Sequence, residues 1–183
     1  LADHVDVSIQ YASDRLDLSY AKHQRLDRAA LLMGRWLFNG SGPGGGALFS
    51  SVLFHAFEDQ ALPELQVYMT PMIIDENIDG GDEDAAPLLQ RLGRKLLVRG
   101  RKVAKPGIQI DINQERPRSF GSVRLKSADP REYPMIDPNY FSHPSDIDQL
   151  VRGVHVMREV MAQPEIAQYH QGEIGVWKDA KSE

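Results

Sequence analysis

Gly107-Ile108-Gln109-Ile110-Asp111-Ile112-Asn113-Gln114 sets the architecture of the chain. Isoleucine at every second position, separated by Gln109, Asp111 and Asn113, is the period-two pattern of a strand with one buried face. Downstream, Arg116-Pro117-Arg118 interrupts the alternation. Val123 and Leu125 then alternate with Ser122, Arg124 and Lys126, which predicts a returning strand and a hairpin. Ala128-Asp129-Pro130 and Asp137-Pro138-Asn139 hold the next segment extended, because a residue before proline is pushed out of the helical region. Ser145-Asp146-Ile147-Asp148 reads as a capping-box start, hydroxyl and carboxylate serving the first free N–H groups. Ile147, Leu150, Val151, Val154 and Met161 recur at helical spacing until Gln163-Pro164 ends the run.

Working back toward Leu1, Val5, Val7 and Ile9 alternate with Asp6, Ser8 and Gln10, a short strand. Residues Ser13 to His23 read as an irregular connection. From Gln24 to Phe38, the positions Leu26, Ala29, Ala30, Met33 and Leu37 make one helical face, stopped by Asn39-Gly40. Phe49, Val52, Leu53 and Phe54 predict a strongly apolar central strand. On the next strand Gln66, Tyr68 and Thr70 share one face and Val67 and Met69 the other. Residues 82–105 read as a surface insertion. Within it Leu88, Leu89, Leu92 and Leu96 face inward, and Arg91, Arg94, Lys95, Arg99, Arg101 and Lys102 form a basic side. That side is expected to pair with the acidic loop before it, contact with another subunit or domain being the alternative. Tyr169 to Glu183 turns polar, with Trp177 as its large anchor. The expectation is α+β: a mostly antiparallel sheet of five or six strands, with the helices from about Gln24 and Ser145 covering one face.

With 183 residues and 42% hydrophobic, the chain can bury a core, and residues 1–183 are expected to be a single domain. A net charge of −5 and a pI near 5.7 argue against a nucleic-acid face. The absence of cysteine excludes disulfides and thiolate metal sites, and leaves the compartment open with the cytoplasm favoured. No apolar run is long enough to span a bilayer and no signal peptide is visible. Opening at Leu1 rather than methionine favours a fragment of a longer protein.

Two motifs mislead. Gly40-Ser41-Gly42-Pro43-Gly44-Gly45 fits G-x-G-x-x-G, but a helix precedes it, a strand-like run follows, and Pro43 removes a donor. A dinucleotide site needs the reverse context. Asp75-x-Asn77-x-Asp79-Gly80 imitates a calcium loop, yet Ala86 stands where the bidentate glutamate belongs. The six histidines (His4, His23, His55, His143, His155 and His170) show no zinc-helix spacing, and no nucleophile elbow is present. Read from its residues alone, the chain offers no catalytic or metal-ligating constellation.

A resemblance supplies what the spacing does not. The run from Arg116-Pro117-Arg118-Ser119-Phe120-Gly121 through Val123, Leu125, Ser127 and Asp129-Pro130, continued by Pro134-Met135-Ile136-Asp137-Pro138-Asn139-Tyr140-Phe141, resembles the glucose-methanol-choline (GMC) flavin oxidoreductases. Leu1-Ala2-Asp3-His4 is similar to the point where that family's chain leaves its flavin-binding domain, and Pro63-Glu64-Leu65-Gln66 to the words opening its next strand. The resemblance implies a substrate-binding domain that roofs a pocket over FAD, the full enzyme passing a hydride from an alcohol carbon to the flavin. It implies substrate contacts at Phe49, Ser51, Gln66, Tyr68 and Thr70, and cofactor contacts at Asp3 and His4. The flavin fingerprint and the catalytic histidine are expected outside these residues, so the chain alone would be inactive and without FAD. Its implied partners are a small alcohol and its own FAD-binding domain, and an apolar patch on the bare sheet face would invite a homodimer.

Family members that act on choline carry a glutamate near the start of the first pocket strand, a position occupied here by Phe49 or Ser50. That argues against choline, although an aromatic face can itself hold a cation. A neutral or aromatic primary alcohol is the expectation. The competing reading is a non-catalytic ligand-binding or interaction module sharing the fold.

Overall fold

A computed structural model of the chain describes residues 1–15, 17–23, 26–42, 45, 49, 51–58, 61–73, 105–175 and 178. Its strands are β1 (Asp6–Ala12), β2 (Ser51–His55), β3 (Leu65–Thr70), β4 (Gly107–Gln114), β5 (Ser122–Arg124), β6 (Met135–Asp137) and β7 (Glu173–Ile174). Its helices are α1 (Leu26–Asn39), α2 (Pro144–Met161) and the single turn α3 (Pro164–Ala167), with a 3-10 turn at Tyr20–His23. The expected acidic loop, the basic helix of the insertion and Trp177 lie outside the described residues, as do Pro43 and Gly44.

The α+β expectation holds. A five-stranded sheet runs in the order β2-β3-β4-β1-β7, and each of its neighbouring pairs is antiparallel. The register aligns side chains in ranks across the strands. Leu53, Val67, Ile112 and Val7 form one rank, and Ser51, Met69, Ile110 and Ile9 the next. These ranks face α2, which contributes Met157 and Met161 to a core with Ile9, Tyr11, Phe57, Leu65, Val67, Ile110 and Ile112. Ile110 and Ile112 are fully buried, each worth roughly 1.5–3 kcal/mol by apolar transfer. Gly153 lets α2 approach closely, since a Cβ there would lie 2.7 Å from Leu65 Cδ1 and 3.0 Å from Ile112 Cγ2.

Four expectations are corrected. The 122–125 segment does not form a hairpin with β4, because both sides of β4 are already taken by β1 and β3. It pairs instead with β6 in a separate two-stranded ribbon, Val123 opposite Ile136. The apolar strand at 51–55 is an edge rather than a centre, with Val52, Leu53 and Phe54 all exposed. The cap of α2 lies earlier than Ser145: His143 is the N-cap, its Nδ1 accepting from Ser145 N–H at 3.3 Å, with Pro144 opening the helix. Finally, among the described residues α1 packs on the 3-10 turn and contributes nothing to the core cluster, so α2, joined by Ile166 of α3, backs the sheet.

The polar tail also holds a short strand the periodicity did not reveal. β7 adds to β1, and Glu173 takes a two-pronged ion pair from Arg158 of α2, at 2.8 Å from Nε and 2.9 Å from Nη2.

Candidate functional site

The sheet's second face, turned away from α2, carries three ranks. The middle one runs Val52, Tyr68, Asp111 and Ser8 from β2 to β1. On one side lie Phe54, Gln66, Asn113 and Asp6, and on the other Thr70, Gln109 and Gln10. Directly opposed side chains in such ranks stand roughly 5 Å apart. The face is therefore graded, aromatic and apolar toward β2 and polar toward β1.

Of the expected substrate contacts, Gln66, Tyr68 and Thr70 do share this face, and Phe49 joins them. Its ring meets that of Tyr68 at 4.6 Å between centroids. Ser51 does not join them: it is paired with Met69 and belongs to the face toward α2. The register of β2 points Val52 and Phe54 to the second face, which leaves Ser51 on the other.

Four residues of this face, Ser8, Gln10, Gln109 and Asp111, form a hydrogen-bonded network that alternation alone marks only as the polar side of strands. Ser8 Oγ donates to Asp111 Oδ1 at 2.5 Å, Gln109 Nε2 donates to the same oxygen at 2.8 Å, and Gln10 Nε2 donates to Gln109 Oε1 at 3.3 Å. The signal was present in the alternation of Gln109, Asp111 and Asn113. What was missing was the pairing that brings Ser8 and Tyr68 to either side of Asp111. Thr70 is fully buried, and its hydroxyl has no hydrogen-bond partner among the described residues.

Asp3 and His4 lie elsewhere. The Tyr140 hydroxyl donates to Asp3 Oδ2, and His4 Nδ1 stands 3.8 Å from Glu115 Oε1. The hydrogen bond to the Asp3 carboxylate raises the Tyr140 pKa above its ordinary 10.0. Leu1 and Gly121 exchange backbone bonds beside them, at 3.0 and 2.8 Å. This corner ties the first residues to the turn at Asn139, whose φ of 52° and side-chain bond to Phe120 O shape the approach to α2.

Beneath that turn Asp146 is fully buried, accepting from the backbone N–H groups of Arg118 at 2.8 Å and Ser119 at 2.9 Å. Burial alone would push its pKa up. The bonds from the Ser119 hydroxyl and the two backbone donors outweigh burial and hold the pKa below the ordinary carboxylate value. On the α2 side an open groove of about 400 Å³ is lined by His55, Phe57, Glu58, Arg152 and His155, with the Arg152 guanidinium 3.7 Å above the Phe57 ring. Among the described residues no cluster of histidine, aspartate and glutamate could hold a metal ion, and no helix is long and apolar enough to cross a membrane.

Residues 117–183 match the family model described as GMC oxidoreductase. Over its whole length the chain is 29% identical to an oxygen-dependent choline dehydrogenase of Ectopseudomonas mendocina (strain ymp), covering 29% of that protein. It is 30% identical over 95% of its length to a protein of the same name from Serratia proteamaculans (strain 568), covering 28% of it. The chain thus spans less than a third of the curated relatives it matches. A formate oxidase of Aspergillus oryzae RIB40, solved in a study of FAD modification, superposes with a TM-score of 0.64 at 18% identity. The match covers 94% of this chain and 31% of that one, a likeness of fold.

Proposed function

We propose that the chain is the substrate-binding domain of an FAD-dependent oxidoreductase acting on a CH–OH donor, and that alone it is inactive. The observation that carries the reading is the graded face with Tyr68 and Asp111 at its middle, on a sheet whose other side is backed by α2. The match of residues 117–183 to the GMC oxidoreductase model and the choline dehydrogenase relatives support the reaction class.

The residues fit the wall of a flavin site and not its cradle. Gly40 has a φ of 62° and follows α1, so this glycine run ends a helix where a pyrophosphate loop would begin one. The FAD would be held by sequence outside these 183 residues, and when bound it would accept the hydride. The part left to this chain is to shape and dry the pocket. Phe49, Tyr68, Val52 and Phe54 would exclude water, and Gln66, Asn113 and Asp111 would orient a polar group. Asp3 and His4 are tied to Tyr140 and Glu115, which suits holding the domain's entry in place better than touching the ring.

The test uses the full-length protein. It should be yellow, with flavin absorption bands that bleach anaerobically on adding a primary alcohol from a panel. A colourless protein that yields no flavin on extraction would support a non-catalytic ligand-binding module instead.

A further inference from the structure

We infer that the groove between the end of β2 and α2 is a binding site for a small monocarboxylate with an alkyl body, gripped by the guanidinium of Arg152. The groove measures about 400 Å³, within the range of small-molecule sites. It forms where His55, Phe57 and Glu58 leave the edge strand alongside Arg152, His155 and Val156, which share one side of α2 at helical spacing.

Arg152 is held by its face and unspent at its edge. Its Cζ stands 3.7 Å above the Phe57 ring, the separation of stacked planes. Phe57 is itself buried, and His55 braces it edge-on at 5.0 Å between centroids. Stacking uses none of the in-plane N–H donors of a guanidinium. Among the described residues the one carboxylate that pairs with Arg152 is Asp148, 4.0 Å away and 66% exposed, too distant for a hydrogen bond. A pair that exposed and that long holds the side chain weakly and leaves its donors to a ligand.

The walls decide which anion fits. A planar fork of donors matches the two oxygens of a carboxylate and takes them bidentately. The imidazoles of His55 and His155 add N–H donors along the groove, and Ala56 and Val156 offer an alkyl chain an apolar lining. Glu58 also lines the groove and Asp148 stands beside the guanidinium. Two negative charges there oppose a dianion more strongly than a monoanion, so a phosphate is the poorer match.

Isothermal titration calorimetry of the full-length protein with hexanoate, hexanamide and inorganic phosphate is the test. Hexanoate should bind with a Kd on the order of 1 mM or tighter, and hexanamide, the same body without the charge, about tenfold more weakly. Arg152→Gln should weaken hexanoate by about tenfold. His155→Glu, at an exposed helix position, sets a further carboxylate in the groove and should weaken it by about as much, which keeps the test open if one variant fails to fold. Arg131→Gln, an exposed arginine already paired with Asp129, should leave the affinity as it is. Hexanoate that binds the folded groove variants as tightly as wild type sits elsewhere and overturns the assignment. So does an absence of hexanoate binding, or hexanamide binding as tightly as hexanoate. Phosphate binding more tightly than hexanoate, with the same dependence on Arg152, would make this a phosphate site and overturn the carboxylate.

Discussion

Asp146 ties the segment leaving β4 to the start of α2, and its removal has a calculable cost. Its side chain is 1% exposed and receives the N–H groups of Arg118 and Ser119. Ser119 in turn presents its hydroxyl oxygen to His143 N–H at 3.0 Å, so one carboxylate organises both the exit from β4 and the start of α2. In Asp146→Ala each orphaned donor costs about 1–3 kcal/mol. Relief from burying a charge offsets part of that sum, leaving a net loss of about 3 kcal/mol. Asp146→Asn keeps the shape and a neutral acceptor, and should cost about half as much.

The pH dependence follows from the depressed pKa. In the unfolded chain this aspartate titrates near the ordinary 3.8, and in the folded protein below it. Its contribution is complete above the unfolded value and disappears as pH falls through the folded one. Wild type and Asp146→Asn should therefore differ fully at neutral pH and converge only in acid below 3.8. Urea unfolding followed by circular dichroism across that range reads the difference directly. A gap under ~0.5 kcal/mol at pH 7, less than a single ordinary hydrogen bond contributes, would refute the argument. So would a gap that widens in acid.

At Gly153 the added methyl of Gly153→Ala meets two side chains buried in the core, Leu65 and Ile112. Overpacking there should lower stability by about 1–3 kcal/mol, and a variant as stable as wild type would mean that α2 sits further from the sheet. The tie between Asp3 and Tyr140 is open to spectroscopy. Tyr140 should ionise above 10.0, seen as the difference between ultraviolet titrations of wild type and Tyr140→Phe, and Asp3→Asn should bring it back down. Ionisation at or below 10.0 in the wild-type protein counts against that bond.

The alternations were legible because local pattern reports one buried face. Ile108 to Ile112, Val5 to Ile9 and the stripe of α2 were read in that way, and the α+β class followed from them. Pattern also marked Tyr68 and Thr70 as sharing a side. It does not report neighbours. Val123 and Leu125 alternate as a strand should, but which strand they join depended on β4 having both edges filled. Val52, Leu53 and Phe54 look central because apolar residues usually are, whereas they lie on an edge strand with their side chains exposed.

Composition and periodicity determined that this chain makes an antiparallel sheet with a helix laid against it, since burying isoleucine on one side of a strand needs nothing distant. Only the tertiary structure decided which residues meet on the other side. Asp111 is brought between Ser8 and Tyr68 by hydrogen-bond register across three strands, and register depends on contacts between segments far apart in the chain. The same register turned Ser51 toward α2, because a shift of one position carries a side chain through the sheet.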